Sequence, residues 1–239
     1  MKRHRHMLSV FLVGMVALIL TAAAPEGWAA QIPFSKAKII FEFNSTGQDL
    51  GIQVSLDGDP WNEVKIVDPN GRTILEVEAK GRLKTFGLTE LFAESNEPNF
   101  EDVSKEEILA RFPEGVYKFF GKTTEGDTLK GTAKLTHNIP DGPEIASPLE
   151  GDVVDPNNTF ISWNAVTTPL GINIVGYQVI VERTDALRTF DVKLPATATQ
   201  VTVPPEFLEP GTQYKFEVLA IEKGGNQTIT EGGPFETPQ

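Results

Sequence analysis

From Lys36 onward, apolar residues recur in short alternating runs broken by glycine, asparagine and aspartate. Alternation with a period of two is the mark of strands that bury one face, so strands are expected over residues 37–43, 50–56, 61–67, 72–77, 116–122 and 128–136. Asp57-Gly58, Asn70-Gly71 and Gly126-Asp127 fall between them, and such pairs tolerate the positive φ of tight hairpins. Residues 88–112 leave this rhythm. Within that stretch Ser104 and Glu107 have capping-box spacing ahead of Ile108, Leu109 and Phe112, which predicts a short helix stopped by Pro113 and Gly115.

Pro140, Gly142, Pro143 and Pro148 punctuate the next segment and mark a short, semi-rigid connection between two modules. Strands then resume over residues 159–166, 175–183, 188–194, 200–203, 213–223 and 228–235, the spacing of a sandwich. The expected organisation is a signal peptide (1–30), an N-terminal β-sandwich module (31–138), a Pro/Gly linker (139–147) and a second sandwich (148–239). The fold class is all-β, two sandwiches in tandem, the first with a short helical insertion.

In the second half Pro148 lies near the first strand of such a sandwich, Trp163 in the second and Tyr177 in the third. The run Leu208-Glu209-Pro210-Gly211-Thr212-Gln213-Tyr214 leads into alternating Phe216, Val218 and Ala220. Together, over roughly residues 143–237, these resemble the fibronectin type III domain. The resemblance implies that the Tyr214 hydroxyl fixes the loop before the sixth strand. It implies a fold and no particular ligand; Arg-Gly-Asp, the integrin tripeptide of some members, does not occur. The first module is assigned to no family.

Period two also sorts faces. With Leu50, Ile52, Val54 and Leu56 inward, the same rule sends Phe41, Val64, Ile66, Leu75, Val77, Tyr117 and Phe119 into the core. It leaves Ile40, Trp61, Ile74 and Phe120 on the opposite face, and four large apolar residues there need a cover or a ligand. The expected cover is the 88–112 insertion, through Leu91, Phe92, Phe100 and Phe112. The alternative makes Trp61, Ile74 and Phe120 a candidate binding face for a glycan or a protein.

The N-terminus changes the compartment. Lys2, Arg3 and Arg5 precede an apolar run from Met7 to Ala24, followed by Pro25 and small residues, the three-part form of a secretory signal. The run approaches the roughly 20 residues of a membrane span, so a retained anchor is the competing reading. All 3 methionines and two of the 3 histidines lie in this segment, and cysteine is absent from the chain. An exported chain without cysteine is held by apolar cores, not by disulfides. The lack of cysteine and the plain signal suggest a bacterial source, periplasmic or extracellular.

Composition narrows the chemistry. The formal net charge of −12 argues against nucleic acid and against anionic membrane surfaces as partners. Without cysteine a Cys–His site is impossible, no Gly-x-Ser-x-Gly elbow occurs, and His137 alone cannot build an ordinary zinc site. It is read as a domain-edge residue. The acids Glu94, Glu97, Glu101, Asp102, Glu106 and Glu107 look like a solvated surface segment with little desolvation to raise a pKa. Asp49, Asp57 and Asp59 are a candidate Ca2+ set, with the hairpin turn as the plainer role of Asp57-Gly58. The expected function is an exported, non-catalytic binding or structural protein with a protein or glycan partner. The alternatives are a small carboxylate-dependent hydrolase and a subunit of an envelope assembly. The exported product is expected to begin at Ala30 or Gln31; N-terminal sequencing checks this, and an intact Met1 in the envelope fraction contradicts it.

Overall fold

The structure, a computed structural model, describes residues 30–239; residues 1–29, read above as an export signal, lie outside them. The first module comprises β1 (Gln31–Pro33), β2 (Lys36–Asn44), β3 (Asp49–Val67), β4 (Thr73–Glu78), α1 (Arg82–Phe86), β5 (Leu88–Glu94), α2 (Lys105–Arg111), β6 (Gly115–Thr123) and β7 (Thr128–Leu135). The two strands expected over 50–56 and 61–67 are one long strand. The first half of β3 pairs with β2 and β5, the second half with β4 and β6. One strand thus passes from one layer of the sandwich to the other.

Asp57-Gly58 is therefore no hairpin. Gly58 serves packing instead, since a β-carbon there would come within 3.0 Å of the Phe34 ring. Register shifts fall between Asp57 and Trp61 on the β5 side and between Trp61 and Glu63 on the β6 side. Such bulges absorb residues and reset which parity points inward. That is why Leu56, Trp61 and Val64 are all fully buried in one core although strict alternation would separate them. Trp61, expected on the outer face, is a core residue.

The insertion also differs from expectation. Its first part is β5, added beside β3, and α1 precedes it. The helix arrives where Ser104 predicts it: the Ser104 hydroxyl accepts the Glu107 N–H at 3.3 Å, while the Glu107 carboxylate pairs with Arg111. Phe100 stacks on Phe43 with ring centres 5.6 Å apart, and Phe112 meets Phe41 edge to face at 6.4 Å. The insertion closes the β2 end of the core and sets Leu88 beside Trp61.

The second module comprises β8 (Ile145–Ser147), β9 (Phe160–Trp163), β10 (Ile174–Arg183), β11 (Thr189–Pro195), β12 (Gln200–Thr202), β13 (Gln213–Glu222) and β14 (Gln227–Glu236). Sheets β12-β9-β8 and β11-β10-β13-β14 enclose a core that holds Trp163, Tyr177, Tyr214, Phe216 and Phe235. Strand β9 stops three residues early because the Val166 N–H turns to the Tyr177 hydroxyl, at 2.9 Å. The expected corner is present. The buried Tyr214 hydroxyl accepts the Glu209 N–H at 2.8 Å and donates to the Phe207 carbonyl at 3.4 Å.

The two modules share a sheet. β14 pairs in parallel with β2, Gln227 to Glu42, Thr228 to Phe43 and Ile229 to Asn44, giving the strand order β1-β7-β6-β3-β2-β14-β13-β10-β11. Asn226, only 1% exposed, clasps the junction. Its Oδ1 accepts the Phe41 N–H at 2.9 Å, and its Nδ2 donates to the carbonyls of Thr136 (2.8 Å) and Asn138 (2.9 Å). The connection folds into this seam: Pro140 and Pro143 are buried, and Gly142 fits where a β-carbon would lie 2.2 Å from the Ser45 hydroxyl.

Removing the Asn226 amide strands a buried N–H and two part-buried carbonyls, each costly without a partner. Asn226→Ala is expected to lower the free energy of unfolding by about 3 kcal/mol and to separate the melting of the two modules. Denaturant titration of the full chain checks this; a loss below about 1 kcal/mol in a single unchanged transition contradicts it.

Candidate functional site

The candidate calcium ligands are not brought together. Asp49 opens β3 and Asp57 lies eight residues along the same extended strand, a span of about 26 Å. Asp59 sits in the bend and lines a small depression of about 100 Å³ with Pro60, Glu125 and Asp127. The candidate binding face divides as well. Trp61 is buried. Ile74 is half-buried against the core, in a depression of about 150 Å³ shared with Ile52, Val54, Ala93, Glu94 and Phe112. Phe120 alone lies half-buried on the outer side of β6. Ile40 is covered by the second module, its Cγ2 lying 3.1 Å from where a β-carbon on Gly225 would be. The His137 Nε2 is 2.9 Å from the Phe112 carbonyl, with the ring against Phe41, a supporting role at the domain edge.

Carboxylates do converge, at a place the sequence reading passed over. Glu42 on β2, Glu94 at the end of β5 and Glu97 just beyond it bring oxygens within 4.8 Å of one another. The register explains the meeting. Glu42 faces Gly51 across the β2–β3 pair, and Gln53 faces Glu94 across the β3–β5 pair. Gly51 leaves an open space, and the Glu97 side chain fills it: a β-carbon on Gly51 would fall 2.5 Å from Glu97 Cγ. Gln53 donates to Glu94 at 2.9 Å, and the Gln227 amide donates to Glu42. Glu97 Oε1 is buried with no hydrogen-bond partner among the described residues.

Electrostatics follow from this crowding. Burial first, and then the charges of Glu42, Glu94 and Asp49, push the Glu97 carboxyl up to about 7. Glu42 is raised chiefly by burial, against the lowering effect of its hydrogen bond from Gln227. Asp49 is raised by burial and by Glu231. Three carboxylates this close cannot all ionise cheaply, so the cluster retains a proton near neutrality. The expectation that the 94–107 acids are all solvated thus fails at Glu97, because the missing side chain of Gly51 lets it pack, half-buried, against the outer side of β3. The signal available in sequence was Glu42 itself, a charge within Ile39-Ile40-Phe41-Glu42-Phe43, a run apolar on both parities.

Three carboxylates could supply part of the six to eight oxygens a hard cation takes. For glycoside hydrolysis the spacing is tighter than the roughly 5–5.5 Å of retaining carboxyl pairs. The adjoining depression includes Glu94 but neither Glu42 nor Glu97.

Residues 146–236 match the family model of the fibronectin type III domain. Among solved structures, the chain is similar to one described as a myokine (22% identity, 42% of this chain and 99% of that one, TM-score 0.32). It is similar also to the FN1-FN3 domains of chicken CNTN1 (14% identity, 86% and 68% covered, TM-score 0.35). A third is a two-domain fibronectin type III segment of chicken tenascin (13% identity, 83% and 97% covered, TM-score 0.29). The second module is a fibronectin type III-like domain, as its residues suggested. Such a domain points to binding or structural work. Among the described residues no helix is long and apolar enough to cross a membrane.

A carboxyl whose folded-state pKa is raised from 4.5 to about 7 binds its proton more tightly folded than unfolded. Its contribution to stability is complete below pH 4.5 and is lost as pH rises through about 7. Glu97→Gln, which keeps the shape, is therefore expected to raise the Tm relative to wild type at pH 8 and to leave it little changed at pH 5. Solvent reaches part of the group, so the difference is on the order of 1 kcal/mol. Melts of both proteins across this range check it; parallel curves contradict it.

Proposed function

We propose that the protein is an exported, non-catalytic binding or structural protein of the cell envelope or extracellular space, working as one rigid two-module unit. The observation that carries the reading is the seam in which β2 and β14 pair and Asn226 joins Phe41, Thr136 and Asn138. Modules tethered for reach need a polar, solvated linker. Here the linker is packed and the sheet runs through it, an arrangement that fixes the distance and angle between surfaces on the two halves. The fibronectin type III-like module supports the same reading, as does the signal-like N-terminus. The partner is a protein or a glycan, met outside the cytoplasm.

A second reading, a small hydrolase, draws on the raised Glu97 carboxyl beside Glu42 and Glu94. It is the less economical one. General acid catalysis needs the acid within hydrogen-bonding reach of a substrate, and Glu97 Oε1 is buried against Gly51.

Capture of partners from native envelope and culture supernatant, with the wild-type chain as bait, tests both readings. The rigid-unit reading expects a partner retained by wild type and by Glu97→Gln but weakened in Asn226→Ala. A chain that remains in the cytoplasm, or a glycan- or ester-cleaving activity that Glu97→Gln abolishes, overturns it.

A further inference from the structure

The outer face of the second layer of the first module carries a concentration of positive charge that the net charge conceals. Val116, Lys118, Phe120 and Lys122 point outward from β6, alternating with buried Tyr117, Phe119 and Thr123. β7 presents Thr128, Lys130, Thr132 and Lys134, and the second half of β3 presents Lys65. Strand register draws these together. Phe120 is paired with Lys65 on one side and Lys130 on the other, while Lys118 and Lys122 are its neighbours along the strand. Four lysine positions thus flank Phe120, their backbones about 5 Å away across strands and about 7 Å along them.

No ion pair among the described residues takes them up, and two of them face an acid across the strands. The ion pairs of the first module are Lys80 and Lys84 with Glu78 and Arg111 with Glu107, and none involves Lys65, Lys118, Lys122, Lys130 or Lys134. The nearest acids in register are Glu63 opposite Lys122 and Glu76 opposite Lys65, both toward β4. β7 itself carries no acid, and the nearest one at its start, Asp127, accepts the Ala30 N–H. A depression of about 320 Å³ lies on the β7 side, lined by Gln31, Lys118, Phe120, Lys130 and Thr132. Like charges clustered around an apolar ring favour a bound anion that brings an apolar surface of its own.

We infer that this face docks an acidic glycan, a chain of sugars bearing carboxylates, with a sugar ring seated over Phe120 and its acid groups meeting the surrounding lysines. Other polyanions fit less well. An acidic peptide adds to sheets through a free strand edge, but β6 is paired on both sides by β3 and β7, and β7 is paired by β6 and, over Thr128–Lys130 beside Phe120, by β1. Recognition here must come from side chains on a flat face. A lipid surface calls for several apolar residues that project, whereas on β6 Phe120 is half-buried and Val116 is the exposed one. Nucleic acid packs about one charge per 1.7 Å, and a chain of net charge −12 repels so dense a polyanion more than a sugar acid. The inference rests on the proposed binding role and assigns it a ligand class.

The test is titration of the full chain with oligogalacturonate by calorimetry in low and moderate salt, with dextran oligosaccharide, polyglutamate and phosphatidylglycerol vesicles as comparisons. Binding of oligogalacturonate is expected to weaken with salt, and dextran is expected not to bind. Lys118→Gln with Lys130→Gln, and separately Phe120→Ala, should each weaken binding by about tenfold, the loss typical of a residue central to an interface. Amide shift mapping on the unaltered protein should place the largest changes at Lys118, Phe120 and Lys130, whether or not the variants fold. No binding, changes elsewhere, or equal binding of polyglutamate or vesicles at this face overturns the inference. Asn226→Ala separates the two ideas, because the face belongs to the first module alone. If that variant loses glycan and the lysine variants do not, the docking face is wrong and the rigid unit stands.

Discussion

Two exposed strand edges satisfy each other at the seam, and most of what is distinctive in this molecule depends on that. A sandwich leaves edge strands with unpaired backbone groups, which proteins ordinarily blunt with charge, proline or cover. Here β2 and β14 are each other's cover over Gln227–Ile229, and farther along β14 the Val154 N–H binds the Glu236 carbonyl, and the Glu236 N–H the Asp152 carbonyl. The paired segments lie some 185 residues apart in sequence, Gln227 against Glu42. Asn226 is suited to holding them together, since a side-chain amide is the one neutral group that can satisfy a backbone N–H and two backbone carbonyls at once. The buried Glu222 supports the turn that aims it, accepting the N–H groups of Gly224 and Asn226.

The seam has an electrostatic consequence. β14 pairs along the edge of β2 and sets Gln227 beside Glu42, which is 8% exposed although its strand would otherwise be an edge. Gln227 offers it a hydrogen bond, but Glu94 and Glu97 crowd the same space. Protonation of Glu97 relieves this in the pH range where its carboxyl stays neutral. Carboxylates thus gather where desolvation is strongest, and a separate group of lysines gathers on the other layer.

Alternation made the strands of both modules legible, and the corner at Leu208 and Tyr214 made the second module recognisable, because those signals are local. What the sequence did not disclose depends on contacts far along the chain. Nothing local tells that 50–56 and 61–67 form one strand, since Asp57-Gly58 is equally good turn chemistry; Phe34, packed against Gly58, decides it. The inward Trp61 follows from bulges that only the β5 and β6 partners define. The candidate site fared worse than the fold for the same reason. Asp49, Asp57 and Asp59 are close in sequence, and an extended strand holds such residues apart. Glu42 and Glu97 are far apart in sequence and meet through register. Phe120 was placed on an outer face correctly, and its lysine neighbours needed only the pairing of β3, β6 and β7 to appear.

The crossing of β3 between layers explains why charges of opposite sign do not cancel in the first module. Its first half supplies Gln53 and Gly51 to the carboxylate cluster, and its second half supplies Lys65 to the lysine face. Had 50–56 and 61–67 formed a hairpin in one layer, the same alternation would have set Lys65 and the acids of β2 and β5 on a common outer surface. Pairing across strands would then have joined them into ion pairs of little value. The bend at Gly58, Asp59 and Pro60 sends them to opposite sides of the core instead. The lysine face keeps charge that no ion pair takes up, which weakens the fold slightly by self-repulsion and leaves that face able to bind something of the opposite sign. A protein acidic overall can in this way present a basic surface, and net charge alone is a poor guide to what such a surface meets.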